Sequence, residues 1–140
     1  MTEKVYVRVR DVMTTDVKTI DGLATVREAI ELMRRDSVSS LIINRRHEGD
    51  EFGIVVIDDI ATKVVASNHS PDRTNVYEIM SKPVVTVDGD MDIRYAIRLL
   101  VQFGLSRALV LEASEPAGIV TLRDMVLRYI PPGQQEAAET

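Results

Sequence analysis

Apolar positions along this chain recur with two alternating periods, and each period points to an element. Val26, Ala29, Ile30 and Met33 fall on one helical face, and Thr25 with Glu28 three positions later has the capping-box form of a helix start. A second such face, Ile93, Ala96, Ile97 and Leu100, begins after Asp92, and Gly104 beyond it suits a left-handed helix stop. Two short aliphatic runs follow each helix. In the first half they are Leu41 to Asn44 and Gly53 to Ile57, around the charged turn RRHEGDE; in the second, Ala108 to Leu111 and Gly118 to Thr121, around Glu115-Pro116. Both pairs read as hairpins. A closing helix is predicted from Asp58 to about Ser67 and again from Leu122 to about Ile130.

The order strand, helix, strand, strand, helix therefore occurs twice, and the residues repeat with it. Val9 to Ile43 aligns without gaps on Val76 to Val110: Met13 falls on Met80, Asp21-Gly22 on Asp88-Gly89, Ala29-Ile30 on Ala96-Ile97 and Ser39 on Ser106. After a loop of unequal length, GIVVIDDI from Gly53 matches GIVTLRDM from Gly118. The spacing predicts one repeat over 1–68, a connector over 69–75, a second repeat over 76–130 and a flexible tail over 131–140, with Pro131 and Pro132 stopping the last helix. A unit this short hides its apolar face poorly alone. The expected fold is α/β (α+β), two β-α-β-β-α units packed sheet to sheet with pseudo-two-fold symmetry.

Composition narrows the chemistry. There is no cysteine, and the two histidines, His47 and His69, lie in polar stretches, so metal and catalytic readings start poor. The adjacent carboxylates Asp58 and Asp59 diverge at a helix start and make no catalytic dyad. With no nucleophile, base and orienter set, the chain reads as no enzyme, with no catalytic residue and no metal. A net charge of −5 leaves no basic footprint for nucleic acid. No stretch approaches the roughly 20 apolar residues of a membrane span. MTEKVYVRVRDV lacks a secretory core, and a cytoplasmic location is expected.

The chemistry-bearing feature is Thr121 at a strand-to-helix junction with Asp124 three residues on. A carboxylate can accept both hydroxyl hydrogens of a ribose cis-diol, and a helix start favours phosphate. Gly118 would let the backbone turn out of the hairpin unobstructed. The competing reading of Thr121 and Asp124 is a helix N-cap with a carboxylate in the first turn.

Two copies of the unit, each opening on D/E-h-M and closing on G-h-h-T-x-x-D, resemble a pair of CBS (cystathionine-β-synthase-like) repeats. Gly118-Ile-Val-Thr121-Leu-Arg-Asp124 matches in full; Gly53-Ile-Val-Val56-Ile-Asp-Asp59 has valine where the family has a hydroxyl. The resemblance covers Val9 to Ile130 and implies a regulatory module. Its ligand would be AMP, ADP, ATP or S-adenosylmethionine between the repeats, with no obligatory cofactor. Carried over, one site would join Thr121 and Asp124 to Lys18, Thr19, Val38 and Ser39, with Arg107 at a phosphate-binding position. Each added residue has an alternative: Lys18 a solvated lysine, Val38 core packing, Arg107 a surface arginine paired with Glu112 or Glu115. The second site would use Asp59, Val85, Thr86, Leu105 and Ser106, and is expected to be weaker or empty because Val56 removes a polar contact. Resemblance also implies a homodimer and a regulated partner protein that the sequence does not name. A ligand-independent dimerisation scaffold is the other reading.

Overall fold

The computed structural model describes residues 6–130 and Gly133; the expected tail, Gly133 apart, lies outside the described residues. Packing separates the chain into two compact units, each with its own three-stranded sheet. One is Val17–Val84. The other joins the described residues up to Asp16 to the described residues from Val85 on.

In the Val17–Val84 unit, β1 (Thr19–Ile20) runs parallel to β2 (Ser40–Ile43), which pairs antiparallel with β3 (Gly53–Val56). Between β1 and β2 lies α1 (Val26–Asp36). Its capping box forms as the spacing predicts: Thr25 Oγ1 accepts the Glu28 N–H at 3.1 Å, and Glu28 Oε1 accepts the Thr25 N–H at 2.8 Å. Val26, Ala29 and Met33 enter the core with Leu41, Ile43 and Val55. The closing helix α2 (Ile57–Ile60) starts one residue earlier than predicted, and it widens into a π turn over Ala61–Val65. There the Thr62 hydroxyl donates back to the Asp58 carbonyl at 2.9 Å, and the Ala66 N–H reaches the Ala61 carbonyl.

The other unit repeats this topology with β4 (Thr86–Asp88), α3 (Ile93–Phe103), β5 (Arg107–Glu112), β6 (Glu115–Thr121) and α4 (Leu122–Tyr129). Asp92 caps α3 by accepting the Arg94 N–H at 2.9 Å, and Gly104 ends it at φ +67°. The second hairpin is longer than predicted. Its turn falls at Ala113-Ser114, with φ of 54° and 65°, rather than at Glu115-Pro116. Pro116 lies inside β6 opposite Leu111, where the register shifts. β6 is an edge strand, so a residue without an N–H is tolerated there.

The compact units cut across the sequence repeats, because each repeat's opening turn packs in the unit that holds the other repeat's sheet. The turn Val9–Asp11 donates from Val9 N to Met91 O at 2.8 Å and from Arg10 N to Gly89 O at 3.0 Å. Its counterpart Val76–Glu78 donates from Val76 N to Ala24 O at 2.8 Å and from Tyr77 N to Gly22 O at 3.0 Å. Val9 and Val76 are both fully buried. Beyond each turn a two-way backbone bridge forms, Thr14 with Ile119 and Ser81 with Ile54. This bridge explains Gly118 and Gly53 better than the turning role expected of Gly118, which has no left-handed backbone. A Cβ on Gly118 would stand 2.7 Å from the Thr14 carbonyl and the Met13 sulfur; one on Gly53 would stand 2.9 Å from the Met80 sulfur. Close passage of a second chain segment leaves no room for a Cβ at Gly118, where backbone is met, and a tight fit at Gly53, where the Met80 side chain would have to shift.

Candidate functional site

The matched G-h-h-T-x-x-D segment builds its site from a strand end. Thr121 closes β6 in extended conformation, and its hydroxyl oxygen accepts the Asp124 N–H at 3.1 Å. The Leu122 N–H goes to the Ser106 carbonyl at 2.8 Å, tying the segment before β5 to the start of α4. Arg107 lies directly opposite Thr121 in the β5–β6 register, and Leu109 N donates to Val85 O at 2.9 Å. One end of this sheet therefore brings together Val85, Thr86, Ser106, Arg107, Thr121 and Asp124. Leu105 immediately precedes that cluster and is exposed.

Capping and an available carboxylate coexist here. Thr121 spends its oxygen on the cap, while the half-buried Asp124 side chain has no hydrogen-bond or ion-pair partner among the described residues. Two of the first three N–H groups of α4 are already engaged, those of Leu122 and Asp124. Helix-start phosphate binding is reduced to the Arg123 N–H, and the Arg123 side chain points into solvent.

The first copy occupies the same positions differently. Ile42 N donates to Lys18 O and Ile57 N to Ser39 O, both at 2.9 Å, and Ser40 lies opposite Val56, so Lys18, Ser39 and the β3–α2 junction share one sheet end. Lys18 Nζ lies 3.6 Å from the Asp36 carboxylate. Asp36 is held below the usual carboxylate range, chiefly by its hydrogen bond from Arg35, with the Lys18 charge adding to it. Thr19 and Ser39 are exposed, and Val38 packs against the core. Val56 has no hydroxyl, so the cap inverts: the Val56 N–H donates to Asp59 Oδ2 at 3.1 Å, and Lys63 Nζ stands 3.5 Å from Asp59 Oδ1. The Asp59 carboxylate is thus occupied where that of Asp124 is open.

Lys63 and Asp36 were not among the expected site residues. The i,i+4 spacing of Asp59 and Lys63 was a usable signal. Nothing in the spacing joins Lys18 to Asp36. Among the described residues, no group of three His, Asp or Glu side chains is placed to hold a metal ion, and no helix is long and apolar enough to cross a membrane.

The profile of the CBS domain matches residues 9–66 and 76–130. An uncharacterized protein of Methanopyrus kandleri is 34% identical over 122 residues, 86% of this chain; the chain spans 61% of that relative's length. The hexameric CBS-CP12 protein from bloom-forming cyanobacteria is 38% identical and superposes with a TM-score of 0.84 over 88% of this chain and 71% of that one. The CBS domain of a bacterial CNNM/CorC family Mg2+ transporter, solved in complex with ATP, shares the fold at 24% identity, with a TM-score of 0.72 over 87% of this chain and 86% of the other.

Proposed function

The chain belongs to the CBS-domain family, matched across both of its repeats, and on that footing we propose that it is a ligand-responsive regulatory module binding AMP, ADP or ATP through Asp124 and Thr121. One observation supports this reading above the others: at the start of α4 a half-buried carboxylate is left without a partner, next to a hydroxyl at the strand end. A partly exposed carboxylate that no protein donor occupies is free to accept from a ligand, and two ribose hydroxyls are donors of the right number. Thr121 positions the carboxylate through the cap. Arg107, opposite Thr121, is assigned to the phosphates, because a guanidinium offers forked donors to phosphate oxygens. The family pattern completes this site with Lys18, Thr19, Val38 and Ser39, and Lys18 would exchange Asp36 for phosphate.

The pattern's second site, with Asp59, Val85, Thr86, Leu105 and Ser106, is proposed to be weak, since Val56 N–H and Lys63 already occupy Asp59. Regulation follows if the ligand prefers one of two arrangements of the module or of its partner. The regulated protein is left unnamed by every residue described. Titration calorimetry with AMP, ADP, ATP and S-adenosylmethionine tests the reading. An adenine nucleotide is expected to bind; at a hundred times its Kd it adds about 2.7 kcal/mol of stability. Asp124→Ala is expected to weaken binding at least about tenfold, and Asp59→Ala to leave it unchanged. No heat and no shift in melting with any nucleotide would sink the reading; S-adenosylmethionine alone binding would redirect it.

A second reading, a ligand-independent self-association platform, is favoured by a different observation. Val101 and Phe103 on α3 and Val126, Leu127 and Tyr129 on α4 leave apolar side chains exposed, followed by Ile130 at 66% exposure. A homodimer through these helices would cover them. Under this reading sedimentation gives a dimer that neither nucleotide nor Asp124→Ala alters.

A further inference from the structure

We propose that the Val17–Val84 unit carries a second small-molecule site, for an organic anion with an apolar body, at the end of its sheet opposite the β3–α2 junction. A cavity of about 620 Å3 lies there, within the range of small-ligand pockets. Gly22, Ile43, Met80 and Tyr77 line its apolar part, and Arg45, Arg46 and Lys82 bring three cations to it.

Those cations are held in place. Asp50, its side chain 8% exposed, accepts from Lys82 Nζ at 2.9 Å and from Arg46 Nε at 3.0 Å. The Arg45 guanidinium stacks on the Phe52 ring at 4.6 Å and donates to the Glu48 carbonyl at 3.3 Å. Hydrogen bonds from Arg46 and Lys82 keep Asp50 well below the usual carboxylate range, so it stays an anchor for them. Asp21 is the one acidic residue lining the cavity, and the pocket keeps a net positive charge with Asp50 counted.

The other unit carries an ion-paired cluster at this place, beside a smaller cavity of about 300 Å3 lined by Asp88, Leu111 and Ser114. Gly22 corresponds to Gly89, Tyr77 to Arg10 and Leu23 to Asp90 in the repeat alignment, and continuing it two residues past Ile43 and Val110 sets Arg45 on Glu112. Arg10 pairs with Asp90 and reaches Glu112 at 2.7 and 2.8 Å, and the Glu112 carboxylate lies directly on Gly89. An ion-paired plug fills the position. Over Gly22 the nearest side-chain atoms to a Cβ would be ordinary contacts at 3.5 Å, from Ile43 and Tyr77. All three members of the plug differ here, Arg10 becoming Tyr77, Asp90 Leu23 and Glu112 Arg45, so the same backbone frame leaves an apolar hollow with cations at its rim. An anionic head would meet Arg45, Arg46 and Lys82, and a flat or aliphatic body would cover Gly22, Met80 and Tyr77.

The test is a set of amide chemical-shift titrations of the intact chain with phenyl phosphate, benzoate and inorganic phosphate. Saturable shifts are expected at Gly22, Arg45 and Tyr77 with the two aromatic anions, with an affinity near the millimolar range, and much weaker ones with inorganic phosphate. Arg45→Gln is expected to weaken binding roughly tenfold. The pair Tyr77→Arg with Arg45→Glu, which transplants the plug, should abolish it while the amide spectrum stays dispersed. Asp124→Ala should leave it intact, which separates this site from the nucleotide reading. The proposal is overturned by three results: no saturation with either aromatic anion, equal binding of inorganic phosphate, or affinity that survives the transplanted plug in a folded chain.

Discussion

At the scale of single residues, the same type of position does different work in the two copies because of one neighbour. Thr121 accepts the Asp124 N–H and leaves the carboxylate open; Val56 cannot, and the Asp59 carboxylate takes the Val56 N–H instead. Gly118 and Gly22 make a comparable contrast in space. A methyl on Gly118 would press on the Thr14 carbonyl and the Met13 side chain, whereas one on Gly22 makes ordinary contacts. Overpacking of this kind costs about 1–3 kcal/mol. Gly118→Ala is therefore expected to destabilise the chain by about 2 kcal/mol, and Gly22→Ala to stay within about 0.5 kcal/mol of neutral, both read from urea midpoints. Equal effects would mean that the Thr14–Ile119 bridge does not constrain Gly118. The motif around Gly118 was legible in the sequence, but its reason was not, since the segment that presses on it lies about a hundred residues away in the chain.

Elements were the most legible level. The capping box at Thr25 and the Gly104 stop depend on residues three or four apart, and both formed where the spacing put them. The second hairpin did not, because a turn residue pair without glycine or asparagine carries no sequence signal. Ala113 and Ser114 both hold positive φ in a two-residue loop, a conformation that favours asparagine followed by glycine. Left-handed backbone costs an alanine or serine about 1 kcal/mol. The double substitution Ala113→Asn with Ser114→Gly supplies that favoured pair and should raise stability by about 1 kcal/mol, seen as a melting shift of a few degrees. A lowered midpoint would place the turn elsewhere.

For the whole molecule, the informative fact is that each compact unit is assembled from both sequence repeats. Val7, Val9, Val12 and Met13 pack with Val87, Leu100, Val110 and Met125, and Val76, Ile79 and Met80 pack with Val26, Leu41 and Val64. A fragment of residues 76–130, one repeat as the sequence defines it, lacks the first of these segments and carries Val76 and Ile79 with nothing of their own unit to cover them. It is expected to show no cooperative melt by circular dichroism. A chain joining 85–130 through a flexible linker to 6–16 restores the core and is expected to melt cooperatively. The reverse result would show that the repeats fold as contiguous pieces.

The duplicated frame, the order of its elements, the helix caps and the membership of a family can all be read from the residues in order, because periodicity and capping act within a few residues and recur in both copies. Folding settled which sheet each opening turn covers, why Gly118 has no room for a side chain, and which of two equivalent carboxylates stays open. It also decided that one Gly position is plugged by Arg10 and Glu112 while its counterpart is a cavity. The physical reason is the same in every case: these outcomes rest on contacts between residues far apart in the chain, where no spacing rule links one partner to the other and only the folded backbone brings them within reach.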